Sequence, residues 1–162
     1  MKKIILVLWV ATSLLTGCFG SSDDSQEQSN SVNNYVTSFQ EIIDESNQLL
    51  SQYRENLDKL YTNEVSENQF ASIVKNMVPK SREIGTGLDD QLYTVDNSLY
   101  DFHRDVIRLV NDQHQLFLKT LEEANEESEM NRDTLYDDYH KIKEIQTELV
   151  EQLKALTLGG AE

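Results

Sequence analysis

Apolar residues recur at helical spacing along most of this chain, and that pattern restricts it to helical folds more than any other feature does. In the first such stretch the steps alternate between four and three residues over more than four heptads. Its positions are Val32, Val36, Phe39, Ile43, Ser46, Leu50, Tyr53, Leu57 and Leu60. A second row, Tyr35, Ile42 and Leu49, widens the apolar face. A two-stranded coiled coil needs only a narrow seam, so this width predicts a helix that contacts two neighbours in a bundle.

A second helix is predicted over residues 67–84, and its start carries two recognisable devices. Ser66 and Gln69 have the spacing of a capping box, in which each side chain bonds the backbone N–H of the other residue. Val65 and Phe70 have the spacing of a hydrophobic staple, which packs the entering chain against the first turn.

Two features are expected to interrupt the chain after that start. Pro79 must kink or end the second helix, because proline lacks a backbone donor. The glycines of Gly85-Thr86-Gly87 are expected to break it, and Thr86 or Asp89 then offers a cap for a third helix over 88–127.

The third and fourth helices complete the predicted fold. Asn131 or Asp133 is expected to cap the fourth helix. The sequence therefore predicts an all-α protein that forms an antiparallel bundle of three to four helices, over 31–62, 67–84, 88–127 and 132–157. If the second and third helices were continuous, an extended two-stranded rod of about 90 Å would be the alternative. The wide apolar faces favour the compact bundle.

The first eighteen residues have the features of an export signal. Lys2 and Lys3 form a basic start, and an apolar run from Ile4 to Leu15 follows. The run is shorter than the ~20 apolar residues that a membrane-spanning helix needs. Cys18 is the only cysteine, so it has no disulfide partner within the chain.

The sequence Leu15-Thr16-Gly17-Cys18 resembles the lipobox of a bacterial lipoprotein precursor. The resemblance covers residues 1–18 and implies cleavage before Cys18, a diacylglycerol thioether on its sulfur, and a protein anchored on the extracytoplasmic face of the cell membrane. An ordinary secretory signal is the alternative. An abundance of Asn, Gln, Glu and Ile with little Pro favours a Gram-positive source. The outer membrane of a Gram-negative cell remains the other location.

These features divide the chain into four parts. They are a signal peptide (1–17), a lipidated cysteine with a disordered tether (18–30), a helical bundle domain (31–158) and a frayed tail (159–162). The tether is expected because residues 19–30 carry one apolar side chain and cannot bury enough surface to offset the entropy of ordering. In this layout the chain also looks like the cell-wall-binding helical lipoproteins of bacilli.

The charge of the chain limits its partners. Removal of residues 1–17 takes away Lys2 and Lys3 and no acid, which leaves 12 basic and 29 acidic residues and a net charge of −17. Such a surface repels nucleic acid and anionic head groups, and it attracts cations or a basic protein. We expect a monomer that binds the membrane through Cys18 and a basic extracytoplasmic protein or envelope component through its surface.

No residue pattern in the sequence predicts catalysis or a cofactor. A Gly-x-Ser-x-Gly elbow and a glycine-rich phosphate loop are both absent. His103 and His114 are 11 residues apart, or about 16 Å along a helix, so they cannot share a metal. His140 has Asp137 three residues before it and Glu144 four after, but the Glu-x-x-His motif of di-iron bundles does not occur.

Candidate binding residues come from the tyrosines and from one acidic run. Five of the 7 tyrosines lie on or beside apolar stripes and are expected at the edge of the core: Tyr35, Tyr53, Tyr93, Tyr100 and Tyr139. Tyr61 and Tyr136 are the candidates for an exposed contact. The acidic candidates are Glu122, Glu123, Glu126 and Glu127. The sequence therefore predicts a non-enzymatic interaction module, with a carrier of an apolar ligand or a metal between the helices as the alternative.

Overall fold

The computed structural model describes residues 23–125 and 129–158, and this part of the chain contains helices and turns but no β-strand. Its five α-helices are α1 (Asp23–Tyr61), α2 (Glu67–Lys75), α3 (Val78–Gln91), α4 (Tyr100–Glu123) and α5 (Arg132–Leu158). A 3-10 helix, Asn97–Leu99, precedes α4. Only two residues separate α2 from α3. We call these two helices together one arm of the bundle, so the bundle has four arms: α1, α2 with α3, α4, and α5. The prediction of an all-α helical bundle is confirmed.

Helix α4 lies at the centre of the bundle. It packs against α2, α3 and α5, and its side chains are hydrogen-bonded to α1. Its buried face combines apolar residues with three polar ones: Phe102, His103, Val106, Leu109, Val110, Gln113, Leu116, Phe117 and Thr120. A two-stranded rod would give α4 a single neighbour at each point along its length, so the structure does not have that form.

Three buried or partly buried polar pairs connect α1 to α4. The two members of each pair are 68, 67 and 67 residues apart in sequence. The difference in residue number between contacting positions of α1 and α4 is therefore nearly constant along the bundle. The pairs are Tyr35–His103, Ser46–Gln113 and Tyr53–Thr120, with hydrogen bonds of 2.9, 2.6 and 2.9 Å.

Helix α5 lies beside α1 with its residue numbers running the other way. The Lys143 ammonium donates to Asn47 Oδ1 at 3.2 Å, and the Arg132 guanidinium donates to the Leu60 carbonyl at 2.8 Å. A residue later in α1 therefore contacts a residue earlier in α5. This places the start of α5 next to the end of α1.

The predicted capping box of α2 is present. Ser66 Oγ accepts from the Gln69 backbone N–H at 3.3 Å, and Gln69 Oε1 accepts from the Ser66 N–H at 2.8 Å. Phe70 is fully buried and Val65 packs against the core. The arm is interrupted after Lys75, which ends α2.

Pro79 begins a helix instead of ending one. It lies in the first turn of α3, which starts at Val78. At that position the missing N–H costs nothing, because the first four N–H groups of a helix have no partner within the helix. The sequence left two alternatives for Pro79, a kink in the second helix or its end. The structure shows that α2 ends before Pro79 and that a new helix, α3, begins at Val78.

The predicted break at Gly85-Thr86-Gly87 is wrong, because α3 continues through it to Gln91. A glycine inside a helix costs about 1 kcal/mol relative to alanine. Ile84 and Leu88 flank the segment and are both buried. Burial of each such side chain contributes about 1.5–3 kcal/mol, which outweighs the glycine cost.

The arm ends instead at residues 92–96. Asp96 caps the 3-10 helix by accepting from the Ser98 N–H at 2.8 Å. The predicted start of the third helix at residue 88 is therefore wrong, since α4 begins at Tyr100. Its end is also earlier than the predicted 127, at Glu123.

The predicted start of the first helix at residue 31 is wrong as well. Residues 23–30, which were assigned to the tether, belong to α1. Extending an existing helix adds one hydrogen bond per residue without a new nucleus, and Ser, Gln, Asn and Glu cost at most about 0.7 kcal/mol each relative to alanine. Residues 18–22 of the tether and the predicted signal peptide lie outside the described residues.

Helix α5 corresponds to the predicted fourth helix, and the predicted start at residue 132 is confirmed. It begins at Arg132, and Asn131 Oδ1 accepts from the Thr134 N–H at 3.1 Å. Asn131 is thus the cap, and Asp133 lies in the first turn. Residues 159–162, the predicted tail, lie outside the described residues.

Replacing Gly87 with alanine should raise the free energy of unfolding by about 0.5–1 kcal/mol, because alanine loses less backbone entropy in a helix. Nothing lies within 4 Å of a Cβ atom built at this position. Urea denaturation measures the change. Gly85→Ala is the companion variant, since its Cβ would make an ordinary contact of 3.8 Å with Val110 Cγ1. A loss of stability in Gly87→Ala would show that this part of α3 is not helical.

Candidate functional site

An open notch of about 450 Å³ lies where the end of α1 meets the start of α5. It contains both tyrosines that the sequence identified as exposed candidates, Tyr61 and Tyr136. We call it the tyrosine notch. Its lining residues are Asp58, Tyr61, Thr62, Asp133, Tyr136 and Asp137.

One hydrogen bond and one ring contact hold Tyr61 in the tyrosine notch. Its ring meets that of Tyr136 edge to face, with 6.1 Å between the centroids, which is a favourable aromatic arrangement. Its hydroxyl donates to the Asp133 carboxylate at 2.5 Å. That hydrogen bond and the charge of the carboxylate raise the pKa of the Tyr61 phenol. Tyr61 is nevertheless 50% exposed, so half of its surface remains open to solvent.

An arginine of the chain itself lies against the second tyrosine. The Arg54 guanidinium is 4.1 Å from the centroid of the Tyr136 ring and 5.5 Å from that of Tyr139. Its Nε also donates to both carboxylate oxygens of Asp58, at 2.9 and 3.0 Å. Arg54 therefore combines a cation–π contact with an ion pair.

The tyrosine notch contains two carboxylates that form no ion pair with a described Lys or Arg. In the described part of the chain, no Lys or Arg nitrogen lies within 4 Å of the carboxylates of Asp133 and Asp137. Arg132 is close by, but its guanidinium donates to the Leu60 carbonyl and to Asn63 Oδ1. The arrangement can attract a cation and offer it an aromatic surface.

The two acidic candidates that the structure describes have different roles. Glu122 is exposed and lines a groove between α4 and α5. Glu123 accepts from the Asn131 N–H at 2.9 Å, so it holds the connection between these helices. Glu126 and Glu127 lie outside the described residues, as do Leu15, Thr16, Gly17 and Cys18 of the predicted lipobox.

Two of the three histidines serve the packing of the bundle, and the third, His140, is exposed. His103 is fully buried, and both of its ring nitrogens are hydrogen-bonded, Nδ1 to the Tyr35 hydroxyl at 2.9 Å and Nε2 to the Leu88 carbonyl at 2.8 Å. His114 Nδ1 lies 2.6 Å from Ser81 Oγ, which joins α4 to α3. No group of three metal-binding side chains occurs among the described residues.

The tyrosines at the predicted core edge have diverse environments. Tyr53 is fully buried, whereas Tyr93 is 91% exposed and Tyr100 is 40% exposed. The expectation of a core-edge position is wrong for Tyr93, because the break at 92–96 removes it from the helical stripe on which it was placed.

Sequence reasoning missed four polar residues around the tyrosine notch: Arg54, Asp58, Asp133 as a hydrogen-bond acceptor, and Asp137. The i,i+4 spacing of Arg54 and Asp58 could have revealed their ion pair. The pairing of Tyr61 with Asp133 had no sequence signal, because 72 residues separate them.

Two open grooves also run between helices. The groove between α4 and α5 has a volume of about 580 Å³, and Leu116, Ile142 and Ile145 form its apolar part. The groove between α1 and α3 has a volume of about 420 Å³ and is lined largely by polar side chains.

Comparison of the chain with protein-family models, with curated proteins and with solved structures found no match to any of them. Among the described helices, none has a stretch that is both long and apolar enough to cross a bilayer.

The phenol of Tyr61 should titrate at a lower pH in the variant Asp133→Asn than in the unchanged protein, because a neutral amide does not oppose formation of the phenolate. The ring signals of Tyr61 followed by NMR against pH measure this. Asp137→Asn is the control, since the Asp133 hydrogen bond is kept. A shift as large in the control would contradict the assigned cause.

Proposed function

We propose that this chain is a membrane-anchored extracytoplasmic lipoprotein that acts as a non-enzymatic interaction module for a basic protein or envelope component. The observation that carries the proposal is the tyrosine notch, which combines a half-exposed Tyr61 with Asp133 and Asp137, two carboxylates that form no ion pair with a described Lys or Arg. Aromatic side chains supply large contact areas at interfaces, and unpaired charges select the partner.

The lipobox Leu15-Thr16-Gly17-Cys18 supports the anchor. Two acyl chains on Cys18 would hold the protein on a bilayer far more firmly than one chain does. The anchor places the chain on the outer face of the cell membrane, in a Gram-positive cell by residue usage, with the Gram-negative outer membrane as the alternative.

Helix α1 supports a spacer role. From Asp23 to Tyr61 it extends about 57 Å at 1.5 Å per residue. With Cys18 in the membrane, the tyrosine notch lies at the end of α1 that is farther from the lipid. An extended α1 would therefore present the notch to a partner beyond the membrane surface.

We further infer an antiparallel, monomeric bundle. The opposite numbering of partners in α1 and α5, and the constant offset between α1 and α4, support four arms that alternate in direction along the chain, with α2 and α3 together as the second arm. Short connections between successive helices favour the same arrangement.

The alternative function is a carrier of an apolar ligand. It is favoured by the groove between α4 and α5, which is lined by the buried Leu116 and Ile142 and the half-buried Ile145 together with charged side chains. Extraction of the purified protein with organic solvent, followed by mass spectrometry, distinguishes the two functions. A stoichiometric apolar molecule would favour the carrier.

Replacing Cys18 with alanine should abolish lipid labelling, because the thioether needs the cysteine sulfur. The protein would then remain unprocessed or be released from the cell. Metabolic labelling with a fatty acid and fractionation of cells measure both effects. Lipid labelling that persists in Cys18→Ala would exclude the lipobox assignment.

Charge reversal of Glu122, Glu126 and Glu127 to lysine should slow capture of a basic partner at low salt, because exposed charges steer association and are screened beyond about 8–10 Å at physiological ionic strength. Glu123 should be left unchanged, since it accepts the Asn131 N–H. Surface plasmon resonance at several salt concentrations measures the association rate.

The matched control reverses Asp89, Asp90 and Asp101, which are exposed and lie on α3 and the start of α4. If the control slowed association as much as the test variant, total charge would explain the effect and the surface near Glu122 would have no special part in it.

A further inference from the structure

We propose that the tyrosine notch binds an arginine side chain presented by a basic segment of a protein partner. The inference rests on the proposed interaction function and specifies the chemical group that the notch takes.

The chain already shows how one side of the tyrosine notch holds a guanidinium. Arg54 lies over the Tyr136 ring at 4.1 Å, and its Nε donates to both oxygens of Asp58. Here a guanidinium lies between aromatic rings and a carboxylate, with Tyr139 as a second ring at 5.5 Å. Cation–π contacts are stronger where the cation is partly desolvated than at fully exposed sites.

The open side of the tyrosine notch repeats this combination without a guanidinium of its own. Tyr61 supplies a half-exposed ring. Asp133 and Asp137 supply two carboxylates that lack a Lys or Arg nitrogen within 4 Å in the described part of the chain. Arg54 pairs with Asp58, and Arg132 acts on Tyr61 only as a nearby positive charge. An incoming cation would therefore meet two carboxylates that form no ion pair within the described part of the chain.

Arginine fits this side better than lysine does. Its guanidinium is planar and weakly hydrated, it stacks on aromatic rings, and its several N–H groups can reach two carboxylate oxygens at once. A lysine ammonium is a strongly hydrated point charge and would lose more solvation beside the rings. A volume of about 450 Å³, open to solvent, accommodates a side chain that arrives on a peptide segment.

The first test uses three small probes with the mature, full-length protein in detergent. They are the N-acetyl, N-methylamide derivatives of arginine, lysine and citrulline, the last being an uncharged analogue of arginine with nearly the same shape. The ring signals of Tyr61 and Tyr136 in NMR spectra should shift with the arginine probe and approach saturation. Lysine should bind more weakly, and citrulline should leave the signals unchanged. Equal shifts with citrulline or with lysine would overturn the assignment of arginine.

The second test locates the site. In the double variant Asp133→Asn, Asp137→Asn the affinity for the arginine probe should fall about two- to thirtyfold, the range expected for two exposed ion pairs. The matched control is Asp89→Asn, Asp90→Asn, which removes the same charge from an exposed part of α3 and should keep the affinity. An equal loss in both variants would show that net charge, and not the tyrosine notch, binds the probe.

The outcomes also separate this inference from the proposed function. Capture of a basic partner that persists in the Asp133→Asn, Asp137→Asn variant would support the interaction module and overturn the notch as its arginine site. Loss of membrane attachment in Cys18→Ala concerns the anchor alone, because that variant keeps every residue of the tyrosine notch.

Discussion

Hydrogen bonding of polar groups between α1 and α4 is the constraint on which the rest of the structure depends. Ser46 and Gln113 are fully buried, and so are Tyr53 and Thr120, so their hydroxyl and amide groups have no water to bond. Leaving one such group unpaired costs about 1–3 kcal/mol. A slip of one helical turn would separate every pair at once, whereas a purely apolar seam would tolerate it. The polar pairs therefore select one register between two long helices.

That register determines where the remaining elements meet. With α1 held along α4, the last turn of α1 reaches the start of α5, and Arg132 ties the two together through the Leu60 carbonyl. Tyr61 then lies beside Asp133, although neither residue belongs to the core. The tyrosine notch is thus a consequence of core packing, and its geometry depends on contacts formed several turns away.

Electrostatics connect this geometry with the proposed role. The chain has 29 acidic residues and 14 basic ones, so its carboxylates outnumber the cations that could pair with them. Arg54 pairs with Asp58 and Arg132 bonds backbone and amide oxygens. Asp133 and Asp137 form no ion pair within the described part of the chain and lie next to a half-exposed ring. A surface of this kind favours association with basic partners and depends on salt.

The sequence by itself determined the helical class, the capping box at Ser66 and the start of α5 at Arg132, because spacing and caps are local properties. It also identified Tyr61 and Tyr136. It placed the helix break at Gly85 and Gly87 wrongly, since the burial of Ile84 and Leu88 outweighs a local glycine cost that sequence reasoning cannot compare with packing. Only the tertiary structure decided that Tyr61 meets Asp133 across 72 residues and that Arg54 covers Tyr136. Such contacts depend on the register between helices, which is set by side chains distant in sequence.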